Sequence, residues 1–164
     1  MDIEQDLARI SLQEERLRFE RFDSAVAWEL GLALKAAADG RGAGVAIDIS
    51  THAQPLFCHY MAGTTPDNAE WVRRKRNVTL RFSRSSYAVG LILKRDRTTM
   101  IDKYGLGADY MPHGGSFPIR LVGSLCVGAV TVSGLPQRDD HDLVTRALAS
   151  FLGEDADALA LQPE

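Results

Sequence analysis

The sequence predicts an α+β fold in which an antiparallel sheet is covered by helices, and three observations carry that expectation. The elements run helix, hairpin, long helix, hairpin, helix, without the strict strand–helix alternation of a parallel doubly wound sheet. Two pairs of apolar segments are joined by short polar or glycine-containing breaks, as in hairpins. Three stretches repeat apolar residues at the helical period.

Taken in order, residues 2–16 are polar and read as a helix, with Leu7 and Ile10 three apart as one docking stripe. Residues 17–22 alternate and read as an edge strand. Asp23 or Ser24 caps a helix to about Ala38, because Val26, Leu30, Leu34 and Ala37 recur at helical spacing and Gly40 and Gly42 end it. Residues 44–50 form a strand with Val45, Ile47 and Ile49 on one face and Ala46, Asp48 and Ser50 on the other. Alternation resumes over residues 55–61 after a polar break, which makes an antiparallel hairpin.

Thr65-Pro66 is an N-cap followed by proline at the first helical position, where its missing N–H is harmless. A long helix is expected from Pro66 towards Ser85 or beyond. Residues 87–111 carry the weakest pattern; a second helical segment over residues 89–104 would end at Gly105 and Gly107. Residues 117–122 and 125–132 flank Gly123-Ser124, a two-residue turn. Asp139 or Asp140 caps the last helix, whose stripe is Leu143, Val144, Ala147, Leu148, Phe151 and Leu152.

The 164 residues are 45% hydrophobic and 25% charged, which fits one domain spanning 1–164 with loose polar termini. With 22 acidic against 19 basic side chains the net charge is -3, which argues against a nucleic-acid partner. No apolar run approaches the roughly 20 residues of a membrane helix, so no membrane role is expected. The acidic start, Asp2 to Asp6, lacks a charged and apolar export signal, and the cytoplasm is the expected compartment. Cys58 and Cys126 are too few for a disulfide framework or a paired-cysteine zinc site and read as buried thiols.

Three segments carry unusual polar chemistry. The first joins Thr65, Asp67 and Asn68 to a basic run containing Arg73, Arg74, Lys75, Arg76, Asn77, Arg81 and Arg84. At 100° per residue these cations cannot share one face, so some point into protein. They read either as an anion site, since guanidinium groups hold carboxylates bidentately, or as partners of acidic side chains on the terminal helices. The second is His113-Gly114-Gly115-Ser116, leading to Arg120. Its glycines permit positive φ and close approach to backbone N–H groups, or simply a tight turn, and His113 stands beside them as a base or ligand. The third is Ser133-Gly134-Leu135-Pro136-Gln137-Arg138-Asp139-Asp140-His141, whose Asp-Asp-His end resembles a metal-ligand run but equally places carboxylates at a helix N-terminus. His59 and Cys58 are adjacent on a strand and face opposite ways, so they form no nucleophilic pair. No nucleotide loop and no G-x-S-x-G elbow is present.

Taken together, residues 63–68, Trp71 with Arg74, Lys75 and Asn77, residues 84–87, 114–119 and 131–137, and Asp139-Asp140-His141 resemble a cytoplasmic branch allied to the haem-degrading HbpS-like or GlcG-like domain family. The resemblance spans about residues 17–151. It implies a profilin-like fold with an antiparallel sheet of about five strands, and a homo-oligomer built from dimers. One departure falls in the glycine loop: the family tends to Gly-Gly-x-Pro-Ile, whereas Ser116 and Phe117 both stand between Gly115 and Pro118 here.

The resemblance implies haem or tetrapyrrole binding linked to haem breakdown, with Arg74, Lys75 or Arg81 at the propionates and His113 or His59 as axial ligands. The residues by themselves also admit a non-catalytic oligomeric binding or scaffold protein. A third reading is an enzyme on a small anionic metabolite, using Lys75, His113 and Asp139 around a shared pocket.

Overall fold

The computed structural model describes residues 2–162. The chain forms α1 (Ile3–Arg16), α2 (Ser24–Gly40), β1 (Ala46–Thr51), β2 (Pro55–Tyr60), α3 (Pro66–Phe82), α4 (Ser86–Arg95), α5 (Met100–Tyr104), β3 (Ser116–Arg120), β4 (Cys126–Ser133), α6 (Gln137–Leu152) and α7 (Ala156–Leu159). The strands make one antiparallel sheet in the order β2-β1-β4-β3.

The two faces of that sheet differ in chemistry because strand side chains alternate. Ile47 and Ile49 of β1, Phe117 and Ile119 of β3, and Val130 and Val132 of β4 point to one face. There they meet Leu30 and Leu34 of α2 and Leu143, Val144 and Leu148 of α6 in the main core. Each such side chain contributes roughly 1.5–3 kcal/mol by leaving water. Gly31 lets α2 lie directly on the Phe57 ring, since a Cβ there would sit 2.4 Å from Phe57 Cδ2. The opposite face carries Asp48, Ser50, Ser116, Thr131 and Ser133, all buried, and α3 crosses it. Its polar groups are matched: Arg76 meets Asp48 at 2.9 Å, and Ser116 Oγ lies 2.9 Å from Thr131 Oγ1.

Several expectations are corrected. The sheet has four strands rather than about five, because residues 17–22 make only an isolated bridge, Phe19 to Leu121. Burial of Leu17 and Phe19, rather than a hydrogen-bonded ladder, holds that segment. The second hairpin does not close on a two-residue turn. Arg120 pairs with Cys126 after a register shift, and Gly123 at φ +70 lies within the longer connection. The long helix stops at Phe82 because Ser83 adopts the left-handed conformation, and Ser85 caps α4 by accepting from Ala88 N. The segment expected over 89–104 is two helices, parted where Arg97 turns to φ +52.

The first and last helices are docked. Leu7 and Ile10 of α1 bury against Tyr87, Ala88 and Leu91 of α4. Gln13 Nε2 donates to the Leu159 carbonyl oxygen at 2.8 Å and so links α1 to α7. Cys126 is half-buried, but Cys58 is exposed on the edge strand β2, contrary to expectation. No described helix is long and apolar enough to cross a membrane.

Candidate functional site

The first turn of α3 is fixed by a capping box in which Thr65 N donates to Asn68 Oδ1 at 2.8 Å, with Pro66 at the first helical position. Asn68, Trp71 and Lys75 follow at spacings of three and four and therefore share one helix face. Asn68 Nδ2 donates to the Ser133 carbonyl oxygen at 3.4 Å. Trp71 Nε1 donates to Asp67 Oδ2 at 3.0 Å, and its ring lies 5.2 Å from the His113 imidazole. The Arg74 guanidinium covers the same ring at 5.5 Å. Lys75 Nζ donates to Asp140 Oδ2 at 2.7 Å and to the Val132 carbonyl oxygen at 3.3 Å. The two charged side chains are 4% and 1% exposed.

The glycine loop closes over this face. A Cβ at Gly114 would lie 1.9 Å from the Gln137 carbonyl oxygen. One at Gly115, which sits at φ +122, would lie 2.4 Å from the Val132 carbonyl oxygen and 3.0 Å from Lys75 Nζ. Only glycine combines that backbone conformation with so close an approach. Ser86 Oγ donates to the His113 carbonyl oxygen at 2.5 Å and accepts from Ser116 N at 3.1 Å, tying the loop to the start of α4.

These segments enclose a polar cavity of about 310 Å³, lined by Asp67, Asn68, Trp71, Lys75, His113, Ser133, Gly134, Leu135 and Gln137. All three unusual polar segments of the sequence converge there. Burial pushes the Lys75 ammonium pKa down, against the pull of Asp140, and pushes the Asp140 carboxyl pKa up, against the pull of Lys75. Burial also lowers the His113 pKa, and the positive Lys75 and Arg74 lower it further.

His113 and Gln137 also line a second, larger cavity of about 850 Å³ between α4, α5 and the 105–113 loop. Its wall is mainly apolar and includes Leu91, Leu93, Met100, Ile101, Leu106, Met111 and Pro112. Lys94, exposed at the end of α4, and Arg138, at the start of α6, are its cations. Arg138 is held by Asp6 at 2.5 Å and 3.1 Å and donates to Tyr87 Oη at 3.2 Å.

The remaining sequence candidates are placed as follows. Arg74 Nε donates to the Ala108 carbonyl oxygen at 2.5 Å, and Asn77 Nδ2 to the Asp109 carbonyl oxygen at 3.0 Å, so both pin the 105–113 loop. Arg81 is exposed and lines neither cavity. Arg84 meets Glu14 of α1, as the reading of acidic partners on the terminal helices anticipated. Arg120 Nη2 donates to the Ser83 carbonyl oxygen, and Ser116 is buried beside Thr131. His59, on β2, lines neither cavity.

The expectation that Asp139 or Asp140 caps α6 is also corrected. The helix begins at Gln137 after Pro136, Asp139 is exposed, and Asp140 accepts from Leu135 N at 3.0 Å while pairing with Lys75. His141 is sealed in the core between Tyr87 and Phe117 and takes no part in either cavity. Among the described residues no group of three or more His, Cys, Asp or Glu side chains is arranged to hold a metal ion. Sequence reasoning missed Trp71, Gln137, Lys94 and Arg138 as lining groups. Gln137 and Arg138 adjoin the recognisable Gly134-Leu135-Pro136 stretch, whereas nothing local marks Lys94.

A family model described as haem degrading protein HbpS-like matches residues 22–149. A UPF0303 protein of Rhizobium leguminosarum bv. trifolii is 56% identical over 163 residues, covering 99% of each chain. A UPF0303 protein of Burkholderia vietnamiensis is 53% identical over 163 residues, again covering 99% of each. Among solved structures, the Ybr137w protein superposes with TM-score 0.85 at 30% identity, covering 93% of this chain and 92% of that one. HbpS itself superposes with TM-score 0.65 at 20% identity, covering 84% and 94%. A structure described as a PduOC:Heme complex superposes with TM-score 0.68 at 16% identity, covering 79% and 94%. The last two likenesses speak to the fold alone.

Proposed function

The chain belongs to the HbpS-like family of haem-degrading proteins, and from that premise we propose that it binds haem, or a related tetrapyrrole, in the larger cavity. The observation that carries the reading is a histidine, His113, among the residues lining a mainly apolar cavity of about 850 Å³. That volume lies within the range of sites for cofactor-sized ligands. The residues fit the group. Burial and the nearby Lys75 and Arg74 favour the neutral imidazole, the form that ligates a metal. Leu91, Leu93, Leu106 and Met111 offer a porphyrin ring apolar contact. Haem, when bound, supplies the redox-active iron, and the protein supplies the ligand, the walls and the charges at the rim.

The assignment of charges differs from that expected for the basic helix. Arg74, Lys75 and Arg138 are committed to Ala108, Asp140 and Asp6, so Lys94 is the lining cation left to face a propionate carboxylate. The test is absorbance titration of the purified protein with hemin. The expected result is saturation at one hemin per chain with a Soret band that shifts in His113→Ala and weakens in affinity in Lys94→Glu. A signal that never saturates and ignores His113→Ala would overturn the reading.

We also infer a homo-oligomer, because Trp28 and Leu32 of α2 are 59% and 47% exposed beside the edge strand β2. Light scattering should then show a mass above that of one 18.0 kDa chain, reduced by Trp28→Glu. The cytoplasm is the compartment that two free cysteines suit, one of them exposed.

A further inference from the structure

The smaller cavity invites a separate reading, since its most unusual member, Lys75, enters the haem proposal only through the charge it sets near His113. A purely structural Lys–Asp pair needs no cavity at its cation, yet Lys75 lines one. Its Nζ makes two hydrogen bonds, to Asp140 Oδ2 and to the Val132 carbonyl oxygen. The cavity lining also includes the neutral hydrogen-bonding residues Asn68, His113, Ser133 and Gln137, with Trp71 as an aromatic one.

Charge decides the class of ligand. Among the described residues Lys75 is the only cation lining the cavity, Asp140 already neutralises it, and Asp67 adds a carboxylate to the wall. An anion entering would gain no net attraction, which disfavours a small anionic metabolite. A neutral molecule with a carbonyl group suits the cavity in both charge and hydrogen bonding.

We infer that the cavity beside Trp71 and His113 is a site for a small neutral aldehyde or ketone, and that Lys75 Nζ forms a protonated Schiff base with its carbonyl carbon, with Asp140 as counter-ion. The step balances without any oxidant or reductant. Lys75 passes a proton to the Asp140 carboxylate, and the freed nitrogen lone pair attacks the carbonyl carbon. The carbonyl π pair moves to oxygen, which takes a proton from the nitrogen to give the carbinolamine. Asp140 then returns its proton to the departing hydroxyl, water leaves, and the C=N bond forms. The pair ends, as it began, with one positive nitrogen beside one carboxylate, so the buried charge is conserved. Burial, which lowers the Lys75 pKa and raises that of Asp140, favours the first proton transfer.

The experiment is reductive trapping on the whole wild-type protein, without haem, at neutral pH. Glyceraldehyde serves as the neutral probe and pyruvate as the anionic one, each with cyanoborohydride, and peptide mass mapping locates the adducts. The expected result is glyceraldehyde on Lys75 at least about tenfold faster per site than on Lys35, Lys94 and Lys103, since only an unprotonated amine attacks. Labelling confined to the surface lysines would overturn the proposal, as would a Lys75 adduct that forms faster with pyruvate than with glyceraldehyde. The trap uses no haem, so it stands or falls independently of the hemin titration.

Discussion

His141 should make the protein lose stability as the pH falls from 6.5 to 4. Gln13 Nε2 donates to the Leu159 carbonyl oxygen, which fixes the orientation of that amide and leaves Gln13 Oε1 facing His141 Nε2 at 2.9 Å. Oε1 only accepts, so Nε2 carries the hydrogen, and Nδ1 is a bare nitrogen buried without a partner among the described residues. Protonation would place an N–H there with no acceptor, in a ring sealed between Tyr87 and Phe117. Burial accordingly lowers the pKa from 6.5 to about 4, with Arg138 opposing the charge further and Asp142 and Asp6 favouring it. Between those values the unfolded chain binds the proton and the folded chain does not, so stability is full above pH 6.5 and falls with pH towards 4.

At 1.36 kcal/mol per pKa unit the whole loss is about 3 kcal/mol, of which about 2 kcal/mol falls between pH 7 and pH 5. The assay is urea unfolding at pH 7, 6, 5 and 4.5 for wild type and His141→Asn, with the difference between the two curves isolating this residue. The variant should lose the steep part of the dependence, and the His141 ring protons of the wild type should titrate by NMR with a midpoint near 4. Parallel pH profiles for the two proteins, or a midpoint near 6.5, would refute the reasoning.

Other perturbations follow from the same contacts. Asp140→Asn should destabilise by about 3–5 kcal/mol in denaturant titration, because it strands a buried ammonium, and Lys75→Met in the same chain should recover part of that loss. Gly115→Ala should prevent accumulation of folded protein or lower its melting temperature steeply, since the new Cβ meets the Val132 carbonyl oxygen at 2.4 Å in a backbone conformation at φ +122. Arg97→Gly should raise stability by about 0.5–1 kcal/mol in the same assay, because Arg97 is exposed and holds a left-handed conformation at φ +52. Leu34→Ala should cost about 2–5 kcal/mol, as a fully buried side chain of α2 in the main core.

Local pattern alone determined much of this molecule. The stripe through Leu30 and Leu34, the alternation through Ile47 and Ile49, and the Thr65-Pro66 helix start each depend on neighbours within a few residues, and each stands as read. The combined motifs likewise carried the family. Tertiary contacts decided the rest. Residues 17–22 alternate like a strand but have no ladder partner beyond one bridge, so burial of Leu17 and Phe19 replaced hydrogen bonding. Ser83 and Arg97 take left-handed conformations that no residue preference announces, and these set the ends of α3 and α4. The site shows the same division. Its polar segments were visible as segments, but which cation faced which acid was not. A helix turns 100° per residue, and adjacent side chains on α3 were therefore sent to different partners: Arg74 to the Ala108 carbonyl, Lys75 to Asp140 and Arg76 to Asp48. Those partners lie 34, 65 and 28 positions away in the chain, and only the folded sheet, with α3 on one face and α6 on the other, brings them within reach.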